Sequence, residues 1–572
     1  MKQKEILIIF KTHLDIGFTD YSNNIIQKYL TQYIPNAIKI GYELKDSQTP
    51  FAWTVGSWLI DQALKYDTTG TVEKAINDGI LHWHALPFTT HTELMNVSLF
   101  EKALDISKRL DERFGKKTIA AKMTDVPGHT LGMVPLLYDR GVEFLHIGVN
   151  TATPLPPVPP IFKWKLHDKE ITVMYQGDYG EKAEFEDFIV YFAHTGDNLG
   201  PQKAEQIIKI YNDIQAEYPT AIIRAATLND VAEKIATLKD LPIIEQEIGD
   251  TWIHGAGTDP QKLSRFRHAM KHISNDADLP DSLLLIPEHT WGMDLKGFFK
   301  NETDYYPEEL ARLTQERKTI EASWTEQRSF LEKAESALGI TPDYPTQEPD
   351  LTDFEETDIP LDCSVEISWQ IFDNSDYARY EKDYMRCHLW WAIWDFTKVG
   401  LPDDKGGIYE ANITHAYKKA DVSLFKLEFA PEIAQKYGLP HFYLKLQQNN
   451  VELKWFNKKA CRVPQACWLK FRNLTENWQL HKLGHWYKPE DVIGSPLICA
   501  VDEGVRNDQI MIHPIDAALV APFGRRLLQY NVTNLKQDLY FNLYNNIWNT
   551  NFPMWYDDDA VFRFTIKKTT EQ

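Results

Sequence analysis

Ile6-Leu-Ile-Ile-Phe10 runs directly into Lys11-Thr-His-Leu-Asp-Ile-Gly-Phe18. A short apolar run between polar flanks predicts a fully buried strand over residues 5–10. His13 and Asp15 follow where that strand ends. Separated by one residue, two such side chains turn toward the same point above a sheet edge. An imidazole nitrogen beside a carboxylate oxygen suits zinc or a similar divalent ion.

The sequence on the C-terminal side of this segment alternates. An amphipathic helix is expected from about Asn23 to Leu44, with Ile25, Ile26, Tyr29, Leu30, Tyr33, Ile34 and Ile38 at near-helical spacing. Further strands are expected at Phe51–Thr54, Ile80–Ala85, Thr118–Met123, Phe144–Ile147, Ile171–Tyr175, Phe188–Phe192 and Ala221–Ala225. Helical patterns at Val97–Phe114, Val134–Arg140, Pro201–Glu217 and Leu228–Leu238 separate many of them. Such alternation predicts a parallel sheet or barrel with helices outside. In that architecture catalytic groups belong at the C-terminal ends of strands. From about Leu263 to Leu338 the pattern turns helical and charged, most clearly over Tyr306–Ser336. Gly339–Pro360, rich in proline and acids, reads as a linker. Beyond Leu361 the texture becomes β, at Val365–Phe372, His441–Leu446, Val451–Phe456, Ala466–Phe471, Ala518–Val520 and Val561–Ile566, with one helical insertion near Tyr380–Phe396. The expected division is a β/α catalytic domain over 1–262, a small helical bundle over 263–345 and a β-sandwich-type domain over 346–572.

Composition narrows the function classes. At 572 residues the chain exceeds what one core supports. Its formal net charge of −21 argues against nucleic acid, whose phosphates need clustered Lys and Arg, and against an anionic membrane surface. No stretch approaches ~20 apolar residues, so no membrane span is expected. The five cysteines form no CxxC pair, which argues against a disulfide framework or a cysteine-zinc site. These features lead to the expectation of a cytoplasmic protein.

Three further polar clusters follow apolar runs. In Thr124-Asp-Val-Pro-Gly-His129 the Pro127-Gly128 turn holds Asp125 at a strand end. In Pro287-Glu-His-Thr-Trp-Gly292, His289 can complete a metal site. In Ile248-Gly-Asp-Thr-Trp-Ile-His-Gly255, Asp250 lies beside Trp252, where desolvation raises a carboxyl pKa as a general acid requires.

Taken in order, these motifs resemble the retaining, zinc-dependent α-mannosidases of glycoside hydrolase family 38, and a divergent, largely uncharacterised group related to them. The resemblance implies an N-terminal barrel of the seven-stranded type, the helical bundle and a C-terminal β-sandwich. It implies zinc held by His13, Asp15, Asp125 and His289, with His254 the alternative fourth ligand. Asp125 would also be the nucleophile and Asp250 the acid/base, the two carboxyls ~5–5.5 Å apart as retention requires. Phe18, Trp252, His254 and Trp291 would contact a carbohydrate substrate. Self-association into a homo-oligomer is a further expectation. Asn545-Asn-Ile-Trp-Asn-Thr-Asn-Phe-Pro-Met-Trp555 extends the resemblance into the last domain. Three positions depart from the family pattern. Phe18 stands where tryptophan is usual, Asn150 near an expected basic residue, and Thr290 where the last ligand doublet has an aspartate. Two other classes fit the clusters less fully: a zinc carbohydrate deacetylase on a related barrel, and a carbohydrate-binding relative without activity.

Overall fold

The structure is a computed structural model, and it describes residues 3–273, 280–342, 344, 347–360, 363–472, 474–533 and 535–569. The chain divides into two compact units. The first contains residues 1–92, 99–247 and the short return Pro287–Thr290; the second contains Glu93–Ser98, Ile248–Ile286 and Trp291–Gln572.

The first unit is mixed α/β. Its strands are β1 (Glu5–His13), β2 (Trp53–Gly56), β3 (Leu81–His84), β4 (Ala120–Asp125), β5 (Phe144–Val149), β6 (Ile161–Leu166), β7 (Lys169–Gln176), β8 (Ala183–Glu184), β9 (Phe188–Asp197), β10 (Ile222–Ala225) and β11 (Ile243–Ile244). In one sheet β9, β1, β2 and β3 run parallel, with β10 also parallel to β1 and β8 antiparallel to β9. In the other, β4, β5 and β7 run parallel, and β6 turns back antiparallel on β7. The Ala85 amide donates to the Ala120 carbonyl at 2.9 Å, joining the two sheets just past β3. The ladders thus draw two open sheets rather than one closed seven-stranded ring. Continuous apolar runs form the parallel strands because both faces are covered; Ile6 through Phe10 are fully buried.

The helices between strands follow the expected periodicities. Val97–Phe114 is helical as expected, with Leu99, Phe100, Ala103, Leu104, Ile106 and Leu110 on its buried face. The long first helix is broken: Ser22–Lys28 and Ile34–Leu44 flank a wider π turn at Tyr29–Tyr33. That turn packs the Tyr29 and Tyr33 rings edge to face, 5.0 Å apart. It also lets the Tyr29 hydroxyl donate to the His13 carbonyl at 3.2 Å. The apolar run at Leu283–Ile286 is no strand; Asp281–Leu284 forms one short helical turn.

The second unit carries the helices Pro260–Met270 and Gln315–Leu338, tied by Arg265 to Glu335 at 2.5 Å. The remaining helices of the 263–345 region are short. Downstream lie antiparallel sheets of ten and six strands. Trp369 and Leu469 of the smaller sheet share one apolar core with Trp455 and Phe562 of the larger. Among the described residues no helix is long and apolar enough to cross a membrane.

Candidate active site and metal centre

The first unit brings four predicted ligands together. His13 closes β1, Asp15 lies two residues on, and Asp125 closes β4. His289 arrives on the return segment. There the Thr90 hydroxyl and the His91 amide both donate to the Pro287 carbonyl, at 2.7 and 2.8 Å. His13 Nε2 stands 3.2 Å from His289 Nε2 and 3.2 Å from Asp15 Oδ1. His289 Nε2 stands 3.0 Å from Asp15 Oδ1 and 3.6 Å from Asp125 Oδ2. All four side chains are buried. The side chains converge because strand ends point their polar residues to one side of a sheet.

Backbone and neighbours fix this geometry. Asp125 sits at φ 81°, a left-handed conformation that costs a non-glycine residue energy and clusters at functional sites. Asn150 Nδ2 donates to Asp125 Oδ1 at 3.0 Å, leaving Oδ2 to the histidines. The Asp15 amide donates to Asn198 Oδ1 at 3.0 Å. Glu288 Oε1 lies 2.6 Å from His289 Nδ1, and the neighbouring Thr290 amide donates to Glu288 Oε2. A carboxylate only accepts, so His289 Nδ1 carries a proton and Nε2 is the nitrogen turned toward the other three side chains.

Nε2 faces carboxylate oxygens and a second imidazole, a convergence that calls for positive charge at the centre, carried by a ring proton or by a metal ion. Asp15 Oδ2 is buried with no hydrogen-bond partner. His13, Asp125 and His289 each offer a ligand atom within 4.8 Å of the others. Two nitrogens and two carboxylate oxygens are a ligand set of the kind that holds zinc. The residues present therefore fit a divalent metal. Electrostatics agree. Burial raises both aspartates, yet the imidazoles outweigh it and hold Asp15 well below the usual carboxylate range and Asp125 below its ordinary value. Burial depresses His289, but the Glu288 charge and the bonds to Asp125 and Asp15 leave it well above an ordinary histidine.

Sequence reasoning missed several neighbours. Glu288 immediately precedes His289 and was the available signal. Asp197 pairs in register with His13 and joins His13 and Asp15 as a second metal-competent group. Burial and the charge of Asp15 push Asp197 up to about 6. Tyr179 donates to it at 3.0 Å and lays its ring 4.9 Å from that of His13. Phe18 follows Gly17 at φ 61°, half-buried.

Asp250, Trp252, His254 and Trp291 belong to the second unit. Asp250 caps the turn Thr251–Thr258 by accepting from the Trp252 amide at 3.0 Å. Tyr384 donates to its Oδ1 at 2.8 Å, from the helix Asn374–Tyr384. The Tyr384 ring stacks on Tyr380, and Tyr380 hydrogen-bonds Thr251. Burial pushes Asp250 up to about 7, partly offset by Tyr384 and the backbone amides. Trp252 packs on Phe396 and Trp548, and Trp291 on Phe552. Burial takes His254 down to about 3, and among the described residues neither of its ring nitrogens has a hydrogen-bond partner.

Two solved structures share this fold along almost the whole chain. One is an α-mannosidase from Enterococcus faecalis V583, with TM-score 0.60, 9% identity and coverage of 99% of this chain and 87% of that one. The other is a protein in glycosyl hydrolase family 38 from Enterococcus faecalis, with TM-score 0.55, 8% identity and coverage of 99% and 86%. At such identities the likeness is one of fold, and it is the fold that the motifs resemble. A model for a domain of unknown function, DUF5054, matches residues 256–343. The search among curated proteins returns no match.

Proposed function

We propose that this chain is a zinc-dependent glycoside hydrolase that retains anomeric configuration and acts on α-mannoside-like oligosaccharides. The observation that carries the reading is the buried convergence of His13, Asp15, Asp125 and His289 at strand ends of an α/β unit. Its support from fold is the likeness to the two Enterococcus faecalis structures. The proposed division is a catalytic β/α domain over 1–262, to which His289 returns, then the helical region 263–345 and the β-sandwich 346–572. Action in the cytoplasm accords with five unpaired cysteines.

His13, Asp15, Asp125 and His289 would hold the metal, which supplies Lewis acidity toward adjacent sugar hydroxyls and favours a distorted ring. Asp125 is the nucleophile: its carboxylate is kept ionised and turned by Asn150. Attack at the anomeric carbon forms the glycosyl–oxygen bond as the bond to the leaving oxygen breaks. Asp250 is the acid/base on account of its own surroundings. A carboxyl raised to about 7 is protonated near neutrality and can give its proton to the leaving oxygen, then take one from water. Phe18, Trp252, His254 and Trp291 are proposed substrate contacts.

The test joins metal analysis to trapping. Purified protein should carry one zinc per chain and cleave aryl α-mannosides, and a 2-fluoro glycosyl fluoride should label Asp125. A metal-loaded protein that removes acetyl groups from sugars and never forms the labelled adduct is a deacetylase. One that binds sugar without turnover is a carbohydrate-binding relative.

A further inference from the structure

In the six-stranded sheet of the second unit, the strands Val365–Ile371 and Gly407–Glu410 are antiparallel neighbours, with Ile371 opposite Gly407. A pair of that kind needs a turn of only a few residues. Residues 372–406 intervene instead, carrying the helices Asn374–Tyr384 and Trp390–Phe396. The Gly406 amide donates to Asp373 Oδ2 at 2.9 Å and closes the neck of this excursion. Chain held on a rigid scaffold in this way is where binding groups concentrate.

The second helix reads Trp-Trp-Ala-Ile-Trp-Asp-Phe. Its buried face is Ala392, Asp395 and Phe396. The Phe396 ring lies 5.6 Å from that of Tyr384, 6.2 Å from Trp252 and 4.9 Å from Trp548. The Asp395 carbonyl accepts from the Asn549 amide at 3.2 Å. The helix is thus locked into the aromatic cluster from which Tyr384 donates to Asp250. Its outer face carries Trp390, Trp391 and Trp394, which share about 100° of arc. Trp390 is 67% exposed and the preceding Leu389 50%, with Trp391 and Trp394 partly exposed. Apolar side chains scattered singly over a surface are ordinary, but three tryptophans on one face of so short a helix mark a contact site.

Area decides between occupants. A fully buried aromatic side chain covers about 150–250 Å², so the exposed parts of Leu389 and the three tryptophans offer at most roughly 500 Å². A stable protein–protein interface takes about 800 Å² per partner. A sugar ring needs only one or two indole faces, whose negative π cloud meets the C–H groups of the ring. The net charge of −21 suits a neutral ligand over an anionic one. We propose that Trp390, with Trp391 and Trp394, is a stacking platform for a neutral oligosaccharide, on the leaving-group side of the bond to be cleaved. The side rests on the reading of Asp250 as acid/base, because a group that protonates the leaving oxygen stands beside the leaving sugar. Trp390 begins the helix that Phe396 ends, roughly 9 Å away along its axis. An oligosaccharide spans that distance and a single ring does not, so the platform selects oligosaccharides over simple glycosides.

The probes are a sulfur-linked α-mannotetraose, which resists hydrolysis, and methyl α-mannoside, each titrated calorimetrically into the full zinc-loaded chain. The tetraose should bind about tenfold tighter or more, and it should shield tryptophan fluorescence from iodide where the methyl glycoside does not. Trp390→Ala should lose about tenfold of the tetraose affinity, and Trp390→Phe should keep part of it. Equal affinity of the natural chain for the two sugars overturns the proposal, as does quenching that the tetraose leaves unchanged; both stand even if a variant fails to fold. A dimer in sedimentation that Trp390→Ala dissociates assigns the face to a second copy and also overturns it. Any of these results with aryl α-mannosides still cleaved leaves the hydrolase reading intact. A tetraose held through Trp390 by a chain that cleaves no glycoside removes the hydrolase and keeps the platform as a binding site.

Discussion

Two carboxylate environments in this molecule are built oppositely. In the first unit Asp15 and Asp125 are buried, yet imidazoles beside them hold both below ordinary values. In the second unit Asp250 is equally buried, but its partners are hydroxyl and amide donors, which offset only part of the desolvation, and it rises to about 7. Burial alone therefore assigns no role. The charge of the neighbours decides whether a buried acid stays ionised or holds its proton.

The largest test of that contrast is Asp125→Ala. With folding verified by circular dichroism, hydrolysis of an aryl α-mannoside should fall by about 10⁴-fold or more; near-normal turnover removes Asp125 from the chemistry. Asp250→Asn comes next. It should cost about 10²–10⁴-fold, and less with an activated leaving group that needs no proton. In the natural chain the proposed activity should decline as pH rises through about 7, because the proposed acid must be protonated and its folded pKa is raised. A limb unmoved in Asp250→Asn assigns that limb to another group. Third, Glu288→Gln should weaken zinc affinity about 10–100-fold by releasing His289 Nδ1, read by competition with a chelator; unchanged affinity would mean His289 is oriented without its neighbour. The smallest effect belongs to Tyr384→Phe. Its hydroxyl stabilises the ionised Asp250, so removing it should move the alkaline limb upward by up to about one pH unit. A downward move contradicts the role drawn for that hydrogen bond.

The parallel strands and their order of polar ends were legible because a short apolar run followed by His or Asp is a local signal. The expected strands at Phe144–Ile147 and Phe188–Phe192 begin where β5 and β9 begin; the ends run longer because polar residues continue the ladder. The strand Ile161–Leu166 was missed, since its alternating Phe162, Trp164 and Leu166 is the pattern of a half-covered edge rather than an apolar run. Tyr384 was out of reach. It lies 134 residues from Asp250, and no local pattern marks a helical tyrosine as a hydrogen-bond donor to a distant carboxyl.

The return segment Pro287–Thr290 has a consequence for biogenesis. It carries His289 back across 276 residues of chain to meet His13. At common synthesis rates that interval takes about 15–55 s, during which the first unit's strands are already out of the ribosome with three of the four proposed ligands. An ion held by all four side chains would be captured only after the return segment emerges. Once bound, the ion would clamp the two ends of a very long loop, so chelation should speed unfolding of the first unit far more than it alters its secondary structure.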